Sequence, residues 1–193
     1  MWPGRILFAL LLMLTVSEAM SLTADLSTGK ISGAWADRDA GIRAFLGVPY
    51  ACPPVGSLRF RPPVPLPSWR GVHDATRPGA ACMQDPALDA FVWSRGPFEQ
   101  SEDCLFLNVW TGSDTTRKRP VMVWVYGGSH TTGFGHARIF DGTALARRGV
   151  VVVTINYRLG RWVFSPIRPW PQRVHTTPLA TVVCSMSSRR CSG

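Results

Sequence analysis

Between Pro120 and Gly160 the chain carries two uncharged, valine-rich runs, Val121 to Tyr126 and Val150 to Tyr157. A glycine-bearing loop, Gly127-Gly128-Ser129-His130-Thr131-Thr132-Gly133-Phe134-Gly135, leaves the first of them. Neither run alternates apolar with polar residues, so each reads as a strand covered on both faces in a parallel sheet. The segment between them is long enough for a crossover rather than a hairpin. Within it, Asp141 to Arg148 shows a helical pattern, with Asp141 placed to cap its start and Gly149 to end it. The centre of the chain is therefore expected to be α/β.

Glycine pairs are common turn punctuation, and alone Gly127-Gly128 reads as a tight turn. The chemical reading is different: residues with little or no side chain leave backbone N–H groups uncovered. Such groups can converge on an oxygen that becomes negative during acyl transfer.

The flanking sequence favours the chemical reading. From Gly41 the chain runs Gly-Ile-Arg-Ala-Phe-Leu-Gly-Val-Pro-Tyr-Ala-Cys-Pro-Pro-Val-Gly-Ser-Leu-Arg-Phe-Arg-Pro-Pro. Then come Ser101-Glu102-Asp103-Cys104-Leu105-Phe106-Leu107-Asn108-Val109-Trp110 and Thr154-Ile155-Asn156-Tyr157-Arg158-Leu159-Gly160. These blocks, in this order around the glycine loop, resemble the amino-terminal third of the type B carboxylesterase and cholinesterase family over residues 22 to 160. The resemblance implies an incomplete α/β-hydrolase fold, with a small amino-terminal antiparallel sheet followed by the first strands of a central mixed sheet.

By that resemblance Gly127, Gly128 and Ser129 are the remnant of an oxyanion loop, in which Ser129 stands where family members usually have a third glycine. If the backbone there needs positive φ, a serine Cβ costs about 1–2 kcal/mol. His130 falls where family members place acyl-pocket residues that are usually aromatic or apolar. Cys82 and Cys104 fall on the family's first disulfide, whose loop closes over the active-site gorge. Trp93 lies inside that loop, where cholinesterases hold a quaternary ammonium group on a tryptophan face; packing is the commoner use of such a ring. Arg59 and Glu102 sit where the family has an ion pair, the alternative being a solvated arginine.

The nucleophile is another matter. A serine hydrolase of this type needs Gly-x-Ser-x-Gly on a strand-to-helix elbow, with an acid and a histidine later. No Gly-x-Ser-x-Gly occurs in the 193 residues. Ser129 beside His130 imitates a nucleophile and its base, but adjacent side chains in an extended or turning chain point apart. No catalytic residue is assigned, and no cofactor or metal is expected, since Cys-x-x-Cys spacing and paired histidines are missing.

Residues 1–19 read as a signal peptide: Arg5 as basic flank, Ile6 to Val16 as apolar stretch, Ser17-Glu18-Ala19 as cleavage site. That stretch is shorter than the roughly 20 residues of a membrane-spanning helix, so a secreted or reticulum-lumen protein without a transmembrane span is expected. Export makes pairing the default for the five cysteines, Cys52, Cys82, Cys104, Cys184 and Cys191, with at least one left over or shared between molecules.

The formal charge of +9 invites a nucleic-acid reading, but residues 20–160 hold fifteen Lys and Arg against eleven Asp and Glu. Residues 161–193 add five arginines, four prolines and no acid. The excess sits in that tail, no nucleic-acid motif accompanies it, and no nucleic-acid partner is expected. The tail shows no useful periodicity and reads as a non-homologous, disordered addition to a truncated family domain of residues 20–160.

Two functions follow from the resemblance. One is a fragment of a secreted serine esterase acting on small-molecule esters, inactive as it stands. The other is a non-catalytic, neuroligin-type adhesion protein. The bare strands would also support self-association through their edges, the run Val150-Val151-Val152-Val153 being uncharged and free of proline.

Overall fold

The computed structural model describes residues 22–85 and 98–164. Its centre is a five-stranded sheet of β3 (Ala34–Asp37), β4 (Ile42–Pro49), β8 (Phe106–Gly112), β9 (Val121–Trp124) and β10 (Val151–Ile155), in the order β3-β4-β8-β10-β9. The first four in that order are antiparallel; β10 and β9 are parallel, with Val151 opposite Val121 and Thr154 opposite Trp124. The sheet is mixed because the β9-to-β10 connection is a crossover, as the long intervening segment requires.

A second sheet joins β1 (Thr23–Leu26), β2 (Gly29–Ser32) and β5 (Val72–Asp74). Here the expectation needs refining. β1 and β2 are antiparallel, but β5 returns parallel to β2, and the run Ile42–Pro49 joins the central sheet. The strand is pulled there by its burial: Ile42, Ala44, Phe45 and Val48 are all core residues, contributing to both faces of the central sheet. A pair of two-residue strands, β6 (Ala81–Cys82) and β7 (Gln100–Ser101), completes the pairing.

β4 carries a bulge between Phe45 and Val48. Gly47 sits there at φ 68°, and a Cβ on it would lie 2.5 Å from the carbonyl oxygen of Arg77, so both backbone conformation and space demand glycine. Its N–H donates to Asn108 Oδ1 at 3.0 Å, and Asn108 Nδ2 donates to Thr154 Oγ1 at 3.0 Å. Two polar side chains deep in the sheet are thereby satisfied.

One face of the central sheet packs Phe45, Val48, Leu107, Val153 and Ile155 against Ile31 of the small sheet. The other packs Ile42, Ala44, Trp110 and Val152 against Ala146 of a short helix, α1 (Thr143–Ala146). This helix is shorter than its sequence pattern. Asp141 does bond its start, accepting the Thr143 N–H at 2.8 Å, but from outside the helix, and Gly149 at φ 86° leads the chain out. A further helical turn, α2 (Arg161–Phe164), follows β10 within the segment expected to lack periodicity.

The largest departure concerns β9. Instead of being covered on both faces, Val121, Met122, Val123 and Trp124 are 57%, 37%, 46% and 42% exposed. β9 is the edge of the sheet, and among the described residues no strand lies on its outer side. Its partner β10 is buried as expected, flanked by β8 and β9.

Candidate functional site

The glycine loop emerges from the carboxyl end of β9. Gly128, Ser129 and His130 hold φ values of 130°, 52° and 59°, so the turn is built on three successive left-handed residues, two of them with side chains. Gly128 has no room for one: a Cβ there would sit 2.1 Å from the Thr132 carbonyl oxygen. The Gly128 carbonyl is the acceptor at the turn's centre, receiving the N–H groups of Thr131 (2.9 Å) and Thr132 (3.2 Å) and the Thr131 hydroxyl (3.0 Å). No hydrogen bond among the described residues uses the N–H of Gly127, Gly128 or Ser129. All three residues are exposed at the strand end.

The loop is anchored by residues that sequence reasoning did not single out. Asn156, buried at the end of β10, accepts the Gly135 N–H at 2.7 Å and donates to the Ala80 carbonyl at 3.0 Å. Gln84 forms a reciprocal pair with Gly133, accepting its N–H at 2.8 Å and donating to its carbonyl at 3.1 Å. Tyr126 and Tyr157 stack at 4.3 Å, and each hydroxyl donates to the other's carbonyl, at 3.2 and 2.6 Å. Burial raises both hydroxyls above the ordinary tyrosine range, so they remain protonated donors. Beyond the turn, Gly160 N–H donates to the His130 carbonyl at 2.7 Å. The one available signal was Asn156 itself, a polar residue terminating an apolar run, which must be hydrogen-bonded if buried.

His130 is exposed, its ring meeting the edge of Tyr157 at 6.3 Å. A cleft of about 550 Å³ adjoins the loop, lined by Gln84, Thr131, Leu159 and Trp162 among others. A larger cavity, about 710 Å³, is lined by residues of β1, β4 and β8, among them Leu26, Phe45 and Val109, and includes neither β9 nor the loop.

Cys82 and Cys104 are bonded, with Cα atoms 4.9 Å apart and both residues almost fully buried beside Tyr126, Tyr157 and Leu159. Cys52 is a free thiol; Cys184 and Cys191 lie outside the described residues. So does Trp93, and with it the cation–π expectation. Arg59 meets Glu102 through Nε at 2.9 and 2.8 Å and through a terminal nitrogen at 2.6 Å. Glu102, whose hydrogen bond leads its charge as the cause, holds the guanidinium above its ordinary value. This contact ties the proline-rich segment to the residues just before Cys104. Among the described residues no group of three or more His, Cys, Asp or Glu gathers as a metal site, and no helix is long and apolar enough to cross a membrane.

A family model, the carboxylesterase family, matches residues 20–167. The chain belongs to the carboxylesterase family. Among curated carboxylesterase-family relatives, the fumonisin B1 esterase of Sphingopyxis macrogoltabida is 45% identical over 130 residues, covering 67% of this chain and 24% of that protein. The para-nitrobenzyl esterase of Bacillus subtilis (strain 168) is 42% identical over 137 residues, covering 70% and 27%. Among solved structures a PNB esterase superposes with a TM-score of 0.66 at 38% identity, over 74% of this chain and 29% of that one. The architecture is accordingly an incomplete α/β-hydrolase fold, and the chain spans about a quarter of the length of these carboxylesterase-family relatives.

Proposed function

We propose that this chain supplies the oxyanion-stabilising portion of a secreted carboxylic ester hydrolase and that, as these 193 residues stand, it does not turn over esters by itself. The observation that carries the reading is the row of uncommitted N–H groups at Gly127, Gly128 and Ser129, on a turn rigidly anchored by Asn156 and Gln84. Preorganised amide donors of this kind stabilise the tetrahedral oxyanion of acyl transfer. The adjoining cleft gives a small ester a place to lie. The nucleophile must come from residues other than these, because the sequence contains no Gly-x-Ser-x-Gly.

Export is part of the same proposal. It rests on the leader-like residues 1–19 and is supported by the Cys82–Cys104 disulfide, which belongs in an oxidising compartment. Expression in a secreting cell should yield an amino terminus at or near Met20; an unprocessed Met1 would remove it.

The catalytic half is tested by a chimera in which residues 22–160 replace the matching segment of the B. subtilis esterase. Turnover of nitrophenyl acetate should survive in the chimera and fall with Gly128→Ala, whose Cβ has no room beside the Thr132 carbonyl and so displaces the turn and its amides; misplacing an oxyanion donor costs about 10²–10³. A folded chimera without turnover would favour the adhesion reading. The chain alone should neither hydrolyse the ester nor take up a fluorophosphonate. Labelling abolished by Ser129→Ala would make Ser129 a nucleophile and overturn the assignment of the loop.

A further inference from the structure

We infer that Gln84 is a positioning residue of the oxyanion turn, fixing the direction of the Gly128 N–H through the peptide that joins Thr132 to Gly133. The inference rests on the proposed esterase function and adds to it the side chain that sets the donor's geometry. Its basis is the interlock of two peptides within the turn. A Cβ on Gly128 would lie 2.9 Å from the Thr132 carbonyl carbon, so the Thr132–Gly133 peptide packs directly on the Gly128 backbone. A Cβ on Gly133 would in turn lie 3.0 Å from the Gly127 carbonyl oxygen. That oxygen belongs to the same planar unit as the Gly128 N–H, so whatever confines it also aims the donor.

Gln84 grips the second peptide from outside the turn. Its Oε1 accepts the Gly133 N–H at 2.8 Å, and its Nε2 donates to the Gly133 carbonyl at 3.1 Å. The same nitrogen donates to the Cys82 carbonyl at 3.1 Å. Both ends of the side-chain amide are thereby committed, and a rotation of the Gly133 backbone strains its N–H and its carbonyl contact together. Gly133 holds φ 117°, and a Cβ there would lie 2.5 Å from the Tyr126 ring, so the residue is fitted closely against that ring as well.

The arm that carries the amide is itself held. Cys82 is bonded to Cys104 and pairs with Ser101 in the β6–β7 ladder, and the Gln84 N–H donates to Gln100 Oε1 at 2.9 Å. Met83 alone separates the buried crosslink from the residue that grips Gly133. The bonds inside the turn do not replace this grip. Thr131 and Thr132 donate to the Gly128 carbonyl and close the turn on itself, and Asn156 bonds the chain further on, at Gly135. Gln84 is what ties the inner peptides to a fixed part of the fold, and preorganised donors act only as well as they are aimed.

Two measurements test this. On the oxidised 193-residue chain, Gln84→Met keeps the length of the side chain and removes its amide. Amide exchange followed by NMR should quicken at Gly133, and also by about tenfold at Thr131 and Thr132, whose own acceptor is the Gly128 carbonyl, while Val152 to Ile155 keep their rates. In the chimera with the B. subtilis esterase, the same substitution should lower kcat for nitrophenyl acetate by about tenfold to a hundredfold and leave KM within about twofold. Here kcat is counted per nucleophile titrated to completion with a fluorophosphonate, so that a loss of folded enzyme does not enter it. Should Gln84→Met fail to fold, Gln84→Asn, which keeps the amide but draws it back by one methylene, should act in the same sense in both measurements. Unchanged exchange at Thr131 and Thr132, a kcat per site indifferent to either variant, or an effect on KM alone would each overturn the inference. A chimera already inactive with Gln84 in place would instead overturn the esterase reading, and the exchange rates would then decide by themselves whether Gln84 sets the turn.

Discussion

Ser129 shows how much a single side chain decides at the loop. It holds φ 52°, a region where an L-residue pays about 1–2 kcal/mol that glycine does not. Replacing it by glycine also loosens the unfolded chain, by about 0.4–1 kcal/mol in the opposite sense. Ser129→Gly should therefore stabilise by about 0.5 kcal/mol, and Ser129→Val, β-branched in the same conformation, should destabilise; urea unfolding of the two variants checks the ordering, and the reverse order would mean that the turn relaxes. Asn156 is the second decisive residue. Its amide serves Gly135 and Ala80 at once, so Asn156→Leu strands a donor and an acceptor in the interior. The expected loss is about 3 kcal/mol, and in the esterase chimera activity should fall with it, because the far side of the loop is released.

Elements rather than residues set the frame of the site. The proline-rich segment crosses the surface between β4 and β5, bent once by a short 3-10 turn at Gly56–Leu58, and is held at its middle by the Arg59–Glu102 contact. Two positions beyond Glu102, the Cys82–Cys104 bond closes the next loop, buried against the two stacked tyrosines. Replacing both cysteines by alanine should cost about 3 kcal/mol in the chain-entropy account. A drop in urea midpoint with an unchanged slope would show that loss of stability, whereas a changed slope would point to altered compactness of the unfolded chain. Arg59→Ala should cost less, since the arginine is half exposed and solvent screens its contact with Glu102.

Among the described residues, three carboxylates respond to acid in the same direction. Asp37 is held below its ordinary value first by the Ala40 N–H and then by Arg147, and Asp74 and Asp114 by Thr76 and Thr116. Groups with depressed folded values stabilise fully above the unfolded value of about 3.9 and lose that contribution as pH falls through the folded ones. Asp103, raised by burial, works in the opposite sense, its contribution being lost as pH rises. The three outnumber the one, so the urea midpoint should decline below about pH 4, and Asp37→Asn, which also frees the Arg147 end of α1, should flatten that decline. An unchanged profile would mean that these contacts survive equally in the unfolded chain.

The strands, the glycine turn, the disulfide and the Arg59–Glu102 contact all trace to features readable in the linear order. β-branched runs, glycines at left-handed positions and motif blocks act locally or through residue types whose partners are restricted. What only the tertiary structure decided is which surfaces are covered and which polar groups are consumed. Val121 to Trp124 and Val151 to Ile155 are nearly interchangeable as apolar runs, yet one is a bare edge and the other a buried centre. Burial is set by what lies beside a strand, and composition carries no record of neighbours. The same holds for the loop: Gly127, Gly128 and Ser129 owe their uncommitted N–H groups to Asn156, Gln84 and the tyrosine pair, which hold the turn from three separate parts of the chain.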